Sequence, residues 1–579
     1  MPIIFGCISR NDKLKDIEDP IINTAKKLYN SSLEVIEPQI NTIIGYSNEN
    51  NIITSNTNGK TAITYTNTPK ALDSDSTQIT LTTSKIEITV DHFNTKRVYF
   101  YQDESYIAFS TSLRHLVKTM EKLGLKIKLN HKATMFYLAT GIPPIKDTLI
   151  NGFTKTAPGE KVIIKTDNQE KRSIHRDFIN YEKPPNLTEK YLEKIYECMK
   201  EAVRKRVEND EKPAIMLSGG IDSTLLAALI TRYNENLTAI NLEIPNFYSE
   251  YEVAYKIAEH LNISLIKLEL KMNKEEVLKK YLEVLSYIEE PTSRAAFMNH
   301  YEIIRELQRR NHKEVYAGLG GAIISIERTK PNKFNWDKEP LVRIFKNKAM
   351  QKTVNILCKM REAKIKIPRK LIEKAIKGYI LGQGKSSFEG FILGTYLDNY
   401  FNNNIKTINT ATKIIASELK HISGKLEKMA ENDKLNAKGL STLPRLINFD
   451  VMTIGNISSK LNLKLKMPYL DVNLMSTIYR IPSKLKYHMK INKYILIKIA
   501  ERYKLLPRNY IKEVKKKGMK QIVNPLVKNR ETLNKIYSEI REKLEESYLK
   551  RLILKELKSR NRISKIRIAY LWLWLKTIW

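Results

Sequence analysis

Pro213-Ala214-Ile215-Met216-Leu217-Ser218-Gly219-Gly220-Ile221-Asp222-Ser223-Thr224-Leu225-Leu226-Ala227-Ala228-Leu229 runs from a short apolar strand, through a small polar turn, into an apolar helix. Gly219 and Gly220 let the backbone approach an anion closely and adopt a positive φ. The first N–H groups of the helix have no intrahelical partners, and the helix dipole favours negative charge there. Ser218, Ser223 and Thr224 add hydroxyl donors, and Asp222 is the one acid of the turn. An acid beside bound phosphates suits a Mg²⁺ ligand. A plain helix cap also uses Ser or Asp, but it requires neither adjacent glycines nor so many hydroxyls after a buried strand. The pattern predicts a phosphate site of a kind other than the Walker loop, whose GxxxxGK[ST] spacing is absent.

Working outward, strand and helix patterns alternate. Thr188–Val207 reads as a helix and Ala214–Leu217 as a strand. Asp222–Tyr233 is helical, Leu237–Leu242 a strand, Glu250–Leu261 helical and Leu265–Leu270 a strand. Glu314–Ala317 is the closing strand. This alternation predicts an α/β, doubly wound parallel sheet. The segment before it is β-rich. Thr80–Thr89 alternates, Val98–Tyr101 and Tyr106–Phe109 flank a hairpin turn, and Pro158-Gly159 precedes a strand at Lys161–Lys165. The polar, Pro-rich Glu182-Lys183-Pro184-Pro185-Asn186 marks a boundary, giving domains at 1–185 and 186–579. From Phe334 onward the pattern is mostly helical and Lys-rich.

Composition narrows the class. A chain of 579 residues with 42% hydrophobic content is long enough for about two or three folded domains. Its formal charge is +36, from 99 Lys and Arg against 63 Asp and Glu. Such a balance suits polyanionic partners, nucleic acid among them. The charge is spread along the chain, however, and no nucleic-acid motif accompanies it, so a Lys-rich proteome is the simpler account and a nucleic-acid partner is not favoured. Cys7, Cys198 and Cys358 lack metal-site or disulfide spacing. No apolar run approaches the ~20 residues that span a bilayer. The aromatic tail Ile568–Trp579 reads as a packed helix, and the protein as cytoplasmic.

The turn resembles the SGGxDS loop of pyrophosphate-loop ATPases, which cleave ATP between the α and β phosphates. Matches elsewhere select one branch. Asp91–Tyr101 is similar to RDxxGxKPLYY, Ala108–Leu116 to FASExKAL, and Thr148-Leu149 with Ala157-Pro158-Gly159-Glu160 to TLF…LPPGH. Lys464–Asp471 is similar to LExRxPFLD, and Leu506-Pro507 through Gly518-Met519 to LPxxIxxRxKxGF. In this order they resemble the asparagine-synthetase superfamily over nearly the whole chain, with 334–440 as a divergent helical insertion. The resemblance implies an N-terminal layered α+β domain of the Ntn-hydrolase, amidotransferase-like kind, followed by an ATP-binding synthetase domain. It implies ATP and Mg²⁺ as cofactors. Ser218, Gly219, Gly220 and Ser223 would hold pyrophosphate and Asp222 the metal. Leu217, Ile240, Ala317 and Gly318 would flank the adenosine, and Lys516 would meet transition-state charge. The implied reaction is AMP-forming amide ligation between a small-molecule carboxylate and an amine or ammonia.

Two departures qualify this. Pro2 stands where the family's glutaminase has a catalytic cysteine, Asn58-Gly59-Lys60 is a poor match to the glutamine-reading Asn-Gly-Glu, and Cys7 reads as a core residue. The N-terminal domain is therefore expected to lack glutaminase activity. The family's SGEGxDE loop is here Ala317-Gly318-Leu319-Gly320-Gly321-Ala322-Ile323. Leu319, Ala322 and Ile323 replace its acids, including the second metal ligand. Glu289, Glu290 or Glu327 could substitute, although solvated surface charges are the simpler reading of them. A non-catalytic nucleotide-binding relic is the main alternative, and a basic RNA-modifying ATPase a further one.

Overall fold

The computed structural model describes residues 3–176, 190–324, 347–362, 379–380, 408–417 and 428–578. Short breaks within these fall at 10–13, 30–31, 40–41, 48–51, 58–59, 68–69, 71, 73, 167–169, 244–249, 270–273, 294–295, 430, 432, 487, 489–490, 492, 515–529, 544–546 and 559–561.

The N-terminal part holds two antiparallel sheets. The first has the order β10-β8-β9-β1-β3-β2 and the second β12-β11-β7-β6-β5-β4. The strands are β1 (Ile4–Ser9), β2 (Leu33–Gln39), β3 (Thr42–Ser47), β4 (Ile52–Thr57), β5 (Lys60–Thr66), β6 (Ser76–Leu81), β7 (Lys85–Val90), β8 (Tyr99–Gln102), β9 (Tyr106–Ser110), β10 (Phe153–Lys155), β11 (Glu160–Lys165) and β12 (Lys171–His175). The β8–β9 hairpin and the β11 strand lie where the sequence places them. The alternating Thr80–Thr89 run is divided between β6 and β7, because Thr82 N donates to Lys85 O (3.0 Å) and closes a turn inside it.

Period-two alternation sends one set of side chains from each sheet into a shared core, with Ile4, Ile8 and Ile44 facing Ile63, Ile79 and Ile88. The other face of the first sheet carries α1 (Leu14–Tyr29) and α2 (Leu113–Lys122), which pack on each other and on β1, β3, β8 and β9. Helix α3 (His131–Thr140) follows.

The second part is a five-stranded parallel sheet of order β15-β14-β13-β16-β17. Its strands are β13 (Ala214–Met216), β14 (Thr238–Glu243), β15 (Ser264–Glu269), β16 (Glu314–Tyr316) and β17 (Lys464–Lys466). The chain enters through α4 (Tyr191–Val207) and crosses over through α5 (Ile221–Ile230), α6 (Tyr251–His260), α7 (Lys274–Tyr287) and α8 (Phe297–Arg309). β16 does not close the sheet. β17, from the Lys464–Asp471 segment, adds beyond it; three residues of strand are too short to announce themselves by periodicity.

The two parts are not separate globules. One continuous apolar core runs from Ile3 to Ile578 and joins them. The helix Arg562–Ile578 buries Trp572 and Trp574 and packs on α3 and α7, so the aromatic tail is indeed a packed helix. Among the described residues, no helix is long and apolar enough to cross a membrane. The boundary segment 182–186 and most of 334–440 lie outside the described residues.

Candidate nucleotide site

In an open parallel sheet, ligands bind beyond the carboxyl ends of the strands, where the strand order reverses. Here the chain leaves β13 toward β14 on one side and later returns to β16 on the other. The crevice therefore opens between the loops that follow β13 and β16. These are Leu217–Gly220 and Ala317–Gly320, the two segments singled out from sequence.

The first loop is tightly organised. Leu217 N donates to Ile240 O (2.9 Å), and Asn241 Nδ2 donates to Leu217 O (2.7 Å). Ser218 N donates to Ser223 Oγ (3.2 Å), and the two hydroxyls lie 3.1 Å apart. Gly219 has φ +70°, the left-handed region open to glycine. Gly220 is the extended N-cap of α5 and makes no side-chain cap bond, and a helix start of this kind favours negative charge. Tyr510 donates its hydroxyl to Gly219 O (3.0 Å), and Tyr469 donates to Asp222 O (2.9 Å).

The second loop lies directly on the first. A Cβ on Gly318 would stand 3.0 Å from Ser223 N, and one on Gly321 would stand 2.6 Å from Asp222 Cγ. Glycine persists there because any side chain would enter the Asp222 carboxylate or the α5 backbone. Ala317 N is held by Lys466 O (3.1 Å). The structure thus brings together Leu217, Ser218, Gly219, Gly220, Asp222, Ser223, Ala317 and Gly318. Ile240 lies within β14 at 0% exposure and reaches the site through its carbonyl bond to Leu217. Lys516 and Glu327 lie outside the described residues.

Three side chains at this site escaped the sequence reading. Lys493 donates to Asp222 Oδ2, and the side chains of this pair are only 14% and 24% exposed, shielded well beyond a surface ion pair. Lys493 also has φ +57°, a left-handed backbone that costs a non-glycine residue roughly 1–2 kcal/mol. Nothing distinguishes it in sequence from the other lysines. Tyr469 and Tyr510 fall inside the matched segments, but their hydroxyl bonds depend on the folded geometry.

Glu289 and Glu290 are neither solvated nor at the phosphate loop. Glu289 accepts from Ser112 Oγ (2.8 Å) and Arg114 N (3.0 Å) at the start of α2, and burial raises its pKa above the carboxylate range. Glu290 pairs with Lys155 and with Arg97 Nη1 (3.5 Å), and Arg97 Nη2 donates to Asn448 Oδ1 (2.6 Å). Both acids bind the N-terminal sheets to the synthetase part. A metal held between two protein carboxylates therefore does not fit the site. Among the described residues Asp222 is its acid, the side chains of Leu319, Ala322 and Ile323 carry no oxygen, and an ammonium already sits on the carboxylate. Among the described residues no group of three or more His, Cys, Asp or Glu could hold a metal.

In the N-terminal part, Cys7 lies inside β1 at 0% exposure, and burial raises its thiol pKa far above the usual range. Asp91 spends its carboxylate locally, accepting from Phe93 N (2.7 Å), Thr95 N (2.8 Å) and Thr95 Oγ1 (2.8 Å). Asn94 takes φ +50°, a left-handed turn position within the matched segment. Pro2, Asn58 and Gly59 lie outside the described residues.

Comparison with known proteins agrees with the geometry. A protein of Mycobacterium tuberculosis named as a glutamine-hydrolysing asparagine synthetase is 24% identical over 422 residues, 71% of this chain and 61% of its own length. Asparagine synthetase (glutamine-hydrolysing) 1 of Bacillus subtilis is 22% identical over 426 residues, 71% of this chain and 62% of its own. A similarly named second protein of Methanocaldococcus jannaschii matches over 145 residues at 24% identity, 25% of this chain and 28% of its own. The chain thus spans about 61% of the length of the first of these relatives. The family model "Asparagine synthase" matches residues 194–576, well over half of the sequence and all of the parallel sheet, and the chain belongs to that family.

Proposed function

We propose that the protein is an ATP-dependent, AMP-forming amide ligase with no glutaminase of its own. The observation that carries this is the packing of the Gly318–Gly321 loop onto Ser223 and Asp222 across the switch point of the sheet. Two glycine-rich loops and an uncapped helix start converge there, and the phosphates of a nucleotide are the ligand such a crevice suits.

In this reading Ser218, Gly219, Gly220 and Ser223 hold the β- and γ-phosphates. Leu217, Ile240, Ala317 and Gly318 border the adenosine. An oxygen of a small-molecule carboxylate attacks the α-phosphorus as the bond to the β-phosphate oxygen breaks, and pyrophosphate leaves. An amine or ammonia then attacks the acyl carbon and displaces AMP. Lys516 is assigned to the charge that develops during these steps. A magnesium ion entering on the nucleotide would neutralise phosphate charge and would find one protein carboxylate, Asp222. Residues 1–185 form an amidotransferase-like unit of the Ntn-hydrolase type that serves as structure. The facing sheets, the buried Cys7 and the self-satisfied Asp91 support that assignment.

The test is ATP–pyrophosphate exchange against a panel of carboxylates, aspartate first. Carboxylate-dependent return of labelled pyrophosphate into ATP is expected. Lys516→Ala should abolish product formation at unchanged ATP affinity, with Lys515→Ala and Lys517→Ala near wild type, because a cation aimed at developing charge acts on the barrier. The apolar Leu319, Ala322 and Ile323 favour a second reading, a nucleotide-binding protein without turnover. Absence of exchange with every carboxylate at saturating Mg²⁺ would select it.

A further inference from the structure

One peptide of the loop after β13 is held from far along the chain. Leu217 is fixed through both its backbone groups, its N–H on Ile240 O (2.9 Å) and its carbonyl under Asn241 Nδ2 (2.7 Å). Ser218 N is fixed on Ser223 Oγ (3.2 Å), and Gly220 O takes the first helical bond, from Thr224 N (3.0 Å). Between them lies the Gly219–Gly220 peptide. Its N–H reaches Ser218 Oγ at a long 3.4 Å, whereas its carbonyl accepts from Tyr510 Oη at 3.0 Å, in a buried bond across 291 residues of sequence. Gly219 has φ +70° and Gly220 φ −79°. A peptide with glycine on both sides can turn over without a Cβ to resist it. The peptide is planar and trans, so a turn that moves the carbonyl carries the N–H to the opposite side. One orientation keeps the carbonyl inside the protein, and the other swings its oxygen out, where it would repel an anion.

Tyr510 lies on the helix Arg508–Val514 and is 7% exposed. A phenylalanine would fill the same space without a polar atom to satisfy, so the hydroxyl is accounted for by its bond. A carbonyl only accepts, which makes the phenol the donor. Burial, with the charges of Asp222 and Glu250 adding to it, raises the phenol pKa far above its ordinary value and keeps the proton in place.

We propose that Tyr510 is a positioning residue for the nucleotide, its hydroxyl locking the Gly219–Gly220 peptide with the carbonyl turned away from the phosphates. The inference rests on the reading of Ser218–Ser223 as a nucleotide loop. Tyr510 acts through that loop and not on the ligand. Its loss therefore weakens a ligand that carries β- and γ-phosphates and spares AMP, which has neither.

The experiment is calorimetric titration of the full-length protein with ATP and with AMP, both in excess Mg²⁺, for wild type, Tyr510→Phe, Gly220→Ala and the double variant. Tyr510→Phe keeps the ring and its packing, and circular dichroism checks that each variant is folded. Tyr510→Phe should lose about threefold to tenfold in ATP affinity, the range for one hydrogen bond, with AMP affinity unchanged. A purely structural role would weaken both nucleotides alike or neither. Alanine at 220 opposes the turn-over by itself, because the turned peptide carries φ at that position into the positive range. Removing the hydroxyl should therefore cost less in the Gly220→Ala background than in wild type, and any hindrance by the added methyl cancels in that comparison. Unchanged ATP affinity in folded Tyr510→Phe, equal losses for ATP and AMP, or equal losses in the two backgrounds would each overturn the proposal and leave the nucleotide reading standing. No ATP binding by folded wild type would overturn the nucleotide reading and this inference with it.

Discussion

A glycine can be required by the space beside it or be open to replacement, and this chain offers both cases for comparison. At Gly321 an added methyl would stand 2.6 Å from Asp222 Cγ and 2.7 Å from Oδ1, so the carboxylate would have to turn away. Overpacking of this kind typically costs about 1–3 kcal/mol, and here it acts on the group that holds Lys493. Gly455 is also helical, in Met452–Lys460, yet a methyl there meets nothing within 4 Å. Gly455→Ala should stabilise the fold by about 0.4–1 kcal/mol, because the unfolded chain loses freedom. Gly321→Ala should reduce ATP affinity about tenfold or more while lowering the melting temperature only modestly. ATP titration and thermal melting of both variants check this. Unchanged affinity in Gly321→Ala would mean that the second loop does not press on the phosphate site.

At the scale of the element, α1 and α2 are fastened to the first sheet through a buried histidine. His115 Nε2–H donates to Ile21 O (2.8 Å), and Nδ1 faces Ser110 Oγ (3.1 Å). Burial lowers its pKa from the ordinary value to about 4, with the Lys122 charge adding to the shift. Between pH 6.5 and 4 the unfolded chain therefore binds the proton that the folded state refuses, and stability falls as pH falls. Asp91 acts in the opposite sense. Burial and the neighbouring Asp75 charge raise its pKa to about 7, so its contribution grows as pH falls from 7 toward 4. Comparing wild type with His115→Gln isolates the histidine. From pH 6.5 to 5 wild type should lose about 1.6 kcal/mol more than the variant, the slope approaching about 1.4 kcal/mol per pH unit below the unfolded pKa. Urea unfolding at the two pH values measures it. Parallel losses in both proteins would mean that His115 takes up its proton without disturbing the layer.

At the scale of the whole molecule, the two sheet systems are joined by charges removed from water. Lys155, Arg97 and Glu290 have side chains only 0%, 3% and 4% exposed. Glu290→Gln would leave two buried cations facing a neutral amide. Breaking a buried pair in this way typically costs about 3–5 kcal/mol. The variant should melt well below wild type and become sensitive to limited proteolysis between the two parts. Nucleotide affinity of the folded fraction should hold. An unchanged melting temperature with lost Mg-ATP binding would instead make Glu290 a metal ligand that reaches the site by rearrangement.

Sequence alone carried the parallel sheet and the glycine-rich turn after its first strand. Both depend on local patterns: apolar strands of fixed length, a glycine pair, and a helix that begins with uncapped N–H groups. It also carried the loss of acids at Leu319, Ala322 and Ile323, since a missing carboxylate is legible without coordinates. β17, the roles of Glu289 and Glu290, and Lys493 were decided only by the tertiary structure. A three-residue strand is made by its neighbour's hydrogen bonds rather than by its own periodicity. Two adjacent glutamates read as solvated until the partners that bury them, Ser112 and Arg114 for one and Arg97 and Lys155 for the other, arrive from far along the chain. Lys493 stands 271 residues from Asp222. An ion pair between residues so distant leaves no mark on either local segment, because its energy comes from a proximity that only the folded core creates.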